Sequence, residues 1–526
     1  MPLPLLTAPE MKLVEKQTTT ETGISELQMI TQAGAAVFRC AKQVTVKLPH
    51  SEKKNWIIIC GKGHNGADGL QAAILAAEQD YKITLYQIFS DKGYSPETIQ
   101  LHQQLNQQGI KVHFYKDASE LHLPYDTALI IEGLLGAGVT NPARGLVAES
   151  IKKINQSSVP VLSIDIPSGL YTDETNIELH VKPVATISFG TQKLSSLFYP
   201  SAGEFGKTFF DKLCFPPSLT TKQPSRLSVF QSSDADASYP TRPYDAYKYS
   251  TGKILVIAGS KGMHGASILC SRAALNAGAG MVKLVVPAAM HNEVCNHTLE
   301  IISHGAGDKK RTTHFSLLEI EELLAHIEWA DTVCLGPGLG RHPDTIAFLL
   351  ELIPQISKPL VIDGDGLHFF YPEVNPQIIK LQPENQHIIV TPHAGEYKRM
   401  GGFYQYNCPL EHIKGVQNLA SNRGVTLLLK GPTTTISDAK GHAIICPPGN
   451  PGLATAGTGD VLAGVITALV HQADTITAAS LGVFLHNTSA NLAQVLTGIS
   501  GMTASDVLNH IPHASKQIED RKQDFA

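Results

Sequence analysis

Asn450-Pro-Gly-Leu-Ala-Thr-Ala-Gly-Thr-Gly-Asp-Val-Leu-Ala-Gly464 packs glycines, small hydroxyl residues and one carboxylate into a turn, and the turn runs into an apolar segment, Val461 to Val470. A turn that feeds a helix points unpaired backbone N–H groups and the positive end of the helix dipole at whatever lies before it. Anions suit that space, phosphates above all. Asp460 stands at its mouth. A bound phosphate would repel a carboxylate there, so the residue points to chemistry, such as taking a proton from a hydroxyl under phosphoryl attack.

Outward from this turn, short β-branched runs alternate with longer amphipathic segments, the signature of parallel α/β sheets. In the second half strands are expected at Ile254–Ile257, Val282–Val286, Thr332–Leu335, Leu360–Ile362, Ile388–Val390, Val425–Leu429 and Thr434–Ile436. In the first half they are expected at Trp56–Cys60, Ile83–Ile88, Thr127–Ile131, Val161–Ile164 and Thr186–Phe189. The first long helix is expected from Ser25, where Ser25-Glu-Leu-Gln28 fits a capping box. Pro216 to Pro243 is rich in Ser, Pro, Thr and Asp and reads as a linker. The expected organisation is two domains, 1–215 and 244–520, joined by 216–243, each long enough for its own core.

The 526 residues are 43% apolar and 17% charged, which excludes a disordered chain. With 42 basic against 47 acidic residues and no basic run, nucleic acid is not an expected partner. No apolar stretch is long enough to span a bilayer, and Met1 to Glu15 does not read as a secretory signal. The eight cysteines form no CxxC pair, so reduced, mostly buried thiols in a cytoplasmic protein are expected.

Trp56-Ile-Ile-Ile-Cys60 runs into Gly61-Lys-Gly-His-Asn-Gly-Ala-Asp-Gly69, read as a loop, and then into a helix, Leu70 to Glu78. Four glycines in nine residues allow close backbone approach to a ligand, and the helix N-terminus suits a phosphate. The spacing matches neither the dinucleotide fingerprint nor a Walker loop, so a plain glycine-rich connection stays open. Glu132, Asp165 and Ser168 also fall at strand ends, where open parallel sheets bind ligands. Asn65, Glu132 and Ser168 offer hard oxygens to a weakly bound cation and leave Asp165 as an acid or base.

The second half carries further strand-end loops: Gly259 to Ala266 ahead of a helix, Ser267 to Gly280; Gly336-Pro-Gly-Leu-Gly340; Val361-Ile-Asp-Gly-Asp-Gly366; Thr391-Pro-His-Ala-Gly-Glu396; and Leu429-Lys-Gly-Pro-Thr-Thr434. Several such loops in one sheet are what a nucleotide site requires. Asp363 and Asp365 read as solvated turn carboxylates or as a metal pair. His393 reads as a structural histidine or as part of a shaped ligand loop. The helix Thr475 to Leu496 has one apolar stripe, which suits core packing or a subunit contact.

Lys62-Gly-His-Asn-Gly-Ala-Asp-Gly69, Asp165-Ile-Pro-Ser-Gly169 and Ser188-Phe-Gly-Thr-Gln-Lys193 together resemble the NAD(P)H-hydrate epimerase domain, over most of residues 20–215. The resemblance implies that His64, Asn65, Gly66, Ala67 and Asp68, with Gly136, Ala137, Gly138, Val139, Thr140, Asn141 and Pro142, bind the hydrated nucleotide NAD(P)HX. It places potassium on Asn65, Glu132 and Ser168, and makes Asp165 a substrate-binding acid or base. Three positions depart from the family: it usually has Asn at His64, Gly at Ala67 and Asp at Glu132. The longer Glu132 moves its carboxylate, and a Cβ at Ala67 demands a compatible φ. Lys193 reads as a phosphate holder or as a surface lysine.

The motifs Thr391 to Glu396 and Asn450 to Gly464, in that order, resemble the NAD(P)H-hydrate dehydratase branch of the ribokinase-like fold, over about residues 245–515. By that resemblance Lys430, Gly431, Pro432, Thr433, Thr434 and Gly459 contact an adenine nucleotide. Ala266, Gly338, His393 and Asp460 contact NAD(P)HX. The donor is ADP in bacterial relatives, with ATP left open, and magnesium is the expected cofactor of this half. The family's first loop often has an aromatic residue near Met263 or His264, which this chain lacks. The implied fold class is α/β, two three-layer αβα domains, Rossmann-like then ribokinase-like, and a homo-oligomer is expected. The fusion looks like a bifunctional repair protein: the first half epimerises R and S forms of hydrated NADH or NADPH, and the second dehydrates the S form through a phosphorylated intermediate. Two other readings stay open, a ribokinase-like vitamin or sugar kinase and a non-catalytic nucleotide- or protein-binding first half.

Overall fold

The structure, a computed structural model, describes residues 2–46, 48, 51–91, 93–376, 387–405 and 407–524. The chain divides into two compact units, Pro4–Leu227 with Gln405–Leu410, and Met1–Leu3 with Ser228–Tyr404 and Glu411–Ala526.

The N-terminal unit is built on seven parallel strands in the order Val112–Tyr115, Lys82–Ile88, Asn55–Cys60, Leu129–Gly133, Val161–Ile164, Ala185–Phe189 and Lys207–Asp211. Successive side chains of a strand point to opposite faces. Accordingly Trp56, Ile58 and Cys60 pack in one core with the helices Glu26–Thr45 and His64–Ala77, whereas Ile57 and Ile59 pack in another with Ile151 and Ile154 of the helix Gly145–Gln156. Both faces are covered, giving three layers. The chain starts mid-sheet, winds to one edge, and then reverses. The reversal opens a crevice beyond the carboxyl ends of Asn55–Cys60 and Leu129–Gly133, the switch point where doubly wound sheets bind ligands.

Ser25 caps its helix as expected: Gln28 N–H donates to Ser25 Oγ at 3.2 Å and Ser25 N–H to Gln28 Oε1 at 2.8 Å. An earlier helix, Ala8–Thr22, comes first, with its own capping box from Thr7 and Glu10. The glycine-rich stretch departs from the expected loop. The helix begins at His64, so only Gly61–Gly63 connect strand to helix, and His64 to Asp68 lie in its first turns. A Cβ on Gly66 would fall 2.2 Å from the Gly61 carbonyl oxygen, so glycine serves close packing there. Ala67 N–H donates to the Gly63 carbonyl at 3.1 Å, and the helical conformation accommodates the Ala67 Cβ.

Inward from Leu227–Val229, the sheet of the C-terminal unit runs Ala443–Cys446, Thr434–Ser437, Thr426–Leu429, Ile388–Val390, Leu360–Ile362, Thr332–Leu335, Lys253–Ile257, Met281–Pro287 and Ile302–Ala306. It is parallel from Thr426–Leu429 to Ile302–Ala306 and antiparallel in the hairpins at the other end. Ile254 and Val256 pack with the helices Thr458–Leu469, Thr475–Thr497 and Ala504–Asp524, while Leu255 and Ile257 face the helices Ile320–Trp329 and Pro343–Leu352. This unit too reverses mid-sheet, between Lys253–Ile257 and Thr332–Leu335. The helix expected from Ser267 spans His264–Asn276, and the one expected from Val461 spans Thr458–Leu469.

The stretch 216–243 is not a plain linker. It contains the short helix Pro217–Thr220, the strand Leu227–Val229 and the helix Ser232–Ser238. Phe230, Ala235 and Tyr239 are buried in the core of the C-terminal unit, and the chain divides between Leu227 and Ser228. A few apolar side chains spaced to reach one core suffice to order a stretch whose composition is polar. Among the described residues no helix is long and apolar enough to cross a membrane, and all eight cysteines are free.

Candidate active sites

In the N-terminal crevice Glu132, at the end of its strand, is fully buried. Its Oε1 accepts the Ser163 hydroxyl at 2.5 Å and the Ser168 N–H at 3.1 Å; its Oε2 accepts the Ser168 hydroxyl at 2.6 Å and the Leu134 N–H at 3.3 Å. Burial raises its pKa, against the pull of these four donors. Asn65 donates to the carbonyls of Leu135 at 2.6 Å and Ile164 at 3.0 Å, which leaves its buried Oδ1 without a hydrogen-bond partner. Ser168 Oγ accepts the Leu135 N–H at 2.8 Å. Asn65, Glu132 and Ser168 thus meet around one backbone segment, and an unpartnered carbonyl oxygen beside a buried carboxylate is a donor set that fits a hard cation.

The loop after that strand starts against Asn65: a Cβ on Gly136 would lie 3.2 Å from the Asn65 Cβ. The Ala137 carbonyl accepts the Thr172 hydroxyl at 2.7 Å, Gly138, Thr140 and Asn141 are exposed, and Val139 and Pro142 are half-buried. Asp165 has a φ of +63°, a strained conformation for a residue with a Cβ. Its Oδ1 is 2.8 Å from Lys193 Nζ and accepts the Phe189 N–H at 3.2 Å. Lys193 is no surface lysine: its side chain is only 4% exposed and is held by Asp165 and the Phe189 carbonyl. Asp68 is buried, and its carboxyl is held well above the usual range by burial first, then by the charges of Asp165 and Glu15. Glu15 comes from the helix Ala8–Thr22, which hydrophobic periodicity does not reveal. His64 is exposed, with Nε2 3.6 Å from Glu26 Oε2.

In the C-terminal unit Gly457, at φ +89°, starts the helix Thr458–Leu469 with no side-chain cap, which leaves the helix N-terminus open to an anion. The turn before it is firmly held. Asn450 Oδ1 accepts the Gly452 N–H at 2.8 Å, and the Thr458 hydroxyl is within 2.8 Å of the Leu453 and Thr455 carbonyls. Asp460 lies in the first turn, its pKa pushed up to about 7 by burial first and then by the Asp363 charge, against the pull of Lys430. Glu396 is also pushed up to about 7, by burial first, while Lys430 pulls it down.

Asp363 is neither a solvated turn carboxylate nor half of an Asp363–Asp365 pair. Its side chain is 3% exposed, and its Oδ1 accepts Lys430 Nζ at 2.7 Å and the Thr391 hydroxyl at 2.7 Å. Asp365 turns elsewhere, to the Gly340 N–H at 2.9 Å and Arg341 Nε at 3.3 Å. Burial alone would lower the Lys430 pKa, but Asp363, then Glu396 and Asp460, raise it. Gly459 lies against this pair, since a Cβ there would be 3.3 Å from Lys430 Nζ. Gly338, at φ +63°, lies beside Ala266, whose Cβ would be 3.1 Å from one on Gly338. His393 is both structural and open. Its Nδ1 accepts the N–H groups of Gly395 at 2.9 Å and Glu396 at 3.3 Å, while the exposed ring turns Nε2 to Glu396 at 3.3 Å. Gly431 and Pro432 are exposed, whereas Thr433 and Thr434 are buried at the start of the hairpin. Sequence reading missed the Lys430–Asp363 and Lys193–Asp165 pairs, because each joins residues far apart in the chain.

Two doubly wound units, each with a glycine-led helix N-terminus and buried carboxylates at the carboxyl-end side of its sheet, define a two-part nucleotide-binding α/β enzyme. The family described as NAD(P)H-hydrate dehydratase matches residues 254–513, and the one described as YjeF-related protein N-terminus matches residues 26–195. The bifunctional NAD(P)H-hydrate repair enzyme Nnr of Thermofilum pendens is 30% identical over 98% of this chain and 96% of its own length. That of Vibrio cholerae is 30% identical over 97% and 98%. A ribokinase-like superfamily protein from Enterococcus faecalis is 26% identical with a TM-score of 0.48, covering 56% of this chain and 98% of that one. The chain belongs to the bifunctional NAD(P)H-hydrate repair enzyme family.

Proposed function

We propose that the N-terminal unit interconverts the R and S epimers of NADHX and NADPHX, and that the C-terminal unit returns the S epimer to NADH or NADPH at the expense of an adenine nucleotide. The observation that carries the reading is Asp460, a carboxylate with a pKa of about 7 in the first turn of an uncapped helix. The substrate hydroxyl sits on a carbon next to the ring nitrogen, and hydroxide is a poor leaving group. Asp460 takes the hydroxyl proton as the oxygen attacks the terminal phosphorus of the nucleotide. AMP leaves from ADP, and the helix start at Gly457 to Gly459, with its backbone N–H groups and dipole, receives the charge on the moving phosphoryl group. The nitrogen lone pair then expels phosphate as a neighbouring proton departs, restoring the reduced ring.

His393, Gly338 and Ala266 hold the nicotinamide side, and Gly431 to Thr434 with Gly459 hold the nucleotide. ADP is the proposed donor, and magnesium, bound with it, would neutralise part of the charge on its phosphates. In the N-terminal unit His64 to Asp68 and Gly136 to Pro142 bind the hydrated nucleotide, and Asp165 moves the proton during inversion of the ring carbon. The unpartnered Oδ1 of Asn65, with Glu132 and Ser168, supports a potassium site there; the ion would add positive charge to the crevice. The free thiols support a cytoplasmic protein.

The test is recovery of reduced-nicotinamide absorbance from NADHX with ADP. Asp460→Asn is expected to abolish it with unchanged thermal stability. Recovery at the parental rate by that variant, or with no nucleotide present, would overturn the reading.

A further inference from the structure

We infer that Asp363 is a positioning residue for phosphoryl transfer: it holds the Lys430 ammonium against the first turn of the helix Thr458–Leu469, beside Asp460. The inference rests on the reading of Asp460 as the base. A lysine side chain is a flexible stem with a point charge at its tip. Here the tip is fixed, because Asp363 Oδ1 accepts it at 2.7 Å and is itself oriented by the Thr391 hydroxyl at 2.7 Å. The carboxylate lies at the end of the strand Leu360–Ile362 and the lysine at the end of Thr426–Leu429, so two rigid strand ends set the distance between them. A Cβ on Gly459 would be 3.3 Å from Lys430 Nζ and 3.9 Å from Asp363 Oδ2, so the pair sits directly against the helix start and a larger residue there would press on the ammonium.

The pair has two effects. The ammonium stands where charge on the transferring phosphoryl group develops. Asp363 also competes with Asp460 for that ammonium. Released from Asp363, Lys430 would swing to Asp460, neutralise it, and weaken it as a base for the substrate hydroxyl. The groups facing Asp460 from the elements around it are Asp363, Asp365, Lys430, Glu396 and the Cys270 thiol, with His486 behind the first turn at Thr458. Asp363 and Lys430 act on Asp460 in opposite directions, which gives the inference a signature that a purely structural role lacks.

The experiment is the pH dependence of kcat/KM for NADHX at saturating ADP, measured on the full chain carrying Asp363→Asn, Lys430→Met, or both. At saturating ADP, kcat/KM for NADHX reports the enzyme–ADP complex that meets NADHX. Asp363→Asn is expected to move the acid limb to lower pH and Lys430→Met to higher pH, each by about one unit, the effect of a charge within a few ångströms. Both single variants should lower the plateau by about 10- to 100-fold, with KM for ADP changed less than about threefold after Asp363→Asn. The double variant should return the acid limb towards the parental position. Acid limbs that stay in place, or that move the same way in both single variants, overturn the inference. Asp460→Asn is measured alongside: if it keeps its activity the reading of Asp460 as base fails, whereas an inactive Asp460→Asn with unmoved limbs sinks only the role of Asp363. Should Asp363→Asn not fold, Lys430→Met alone decides, since a limb unmoved or moved to lower pH is incompatible with the pair.

Discussion

Asp460 is a carboxyl group that titrates near neutrality, about 7, because it is buried beside Asp363 and only partly relieved by Lys430. A base must be ionised, so dehydratase kcat/KM is expected to fall as pH drops through about 7, whereas an ordinary aspartate would stay active down to about pH 4. A pH–rate profile flat from pH 5 to 8 would contradict this placement of the base. In the other unit Lys193 is buried against Asp165. Lys193→Met leaves that carboxylate without its buried cation and positioning partner, so epimer interconversion at neutral pH is expected to fall at least about tenfold. Breaking a buried pair from one side also costs about 3–5 kcal/mol, readable in a denaturant melt. At this scale the sequence exposed the candidate residues but not their partners. Asp460 stood out because glycines surround it, and Asp165 because a Pro-Ser-Gly run follows it. Nothing local marked Lys193 as buried or Lys430 as an ion-pair partner, since each finds its carboxylate on another strand.

Elements were legible wherever local chemistry and burial agree. The buried central strands Val161–Ile164, Thr332–Leu335, Leu360–Ile362 and Ile388–Val390 are short, mostly apolar runs and coincide with their expected spans. Val112–Tyr115 and Ile302–Ala306 escape notice because they are edge strands with exposed positions and no such run. Glycines were read for their freedom, but several serve close packing instead. A Cβ on Gly464 would lie 2.1 Å from the Cys270 carbonyl oxygen, where the helices Thr458–Leu469 and His264–Asn276 meet. Gly464→Val is therefore expected to destabilise the C-terminal unit by about 1–3 kcal/mol or more and to displace Asp460 with its helix, lowering dehydratase kcat while sparing epimerisation. A crystal structure with the two helices undisturbed would refute this. At the other extreme, Ser25→Ala removes a capping box on an exposed helix start and should cost about 1 kcal/mol with no effect on either activity.

For the whole molecule, two chemistries in one chain have a reason in stereochemistry. Elimination accepts one configuration at the hydroxyl-bearing carbon, so an epimerase is needed to recover the other. Asp165→Asn is expected to leave the rate on S-NADHX unchanged while R-NADHX recovers only as fast as it epimerises spontaneously. Equal slowing of both epimers would mean that the variant damages more than the N-terminal site. Strand-by-strand periodicity, the glycine-rich turn at Asn450 to Gly464 and the two motif sets already pointed to two α/β units and their family, because each rests on residues adjacent in the chain. Folding had to supply the rest: where the chain divides, since Phe230, Ala235 and Tyr239 are claimed by one core; where the glycine-rich helix starts; and which carboxylates share a lysine. These depend on burial and on distances between strand ends, quantities that exist only once remote segments are brought together.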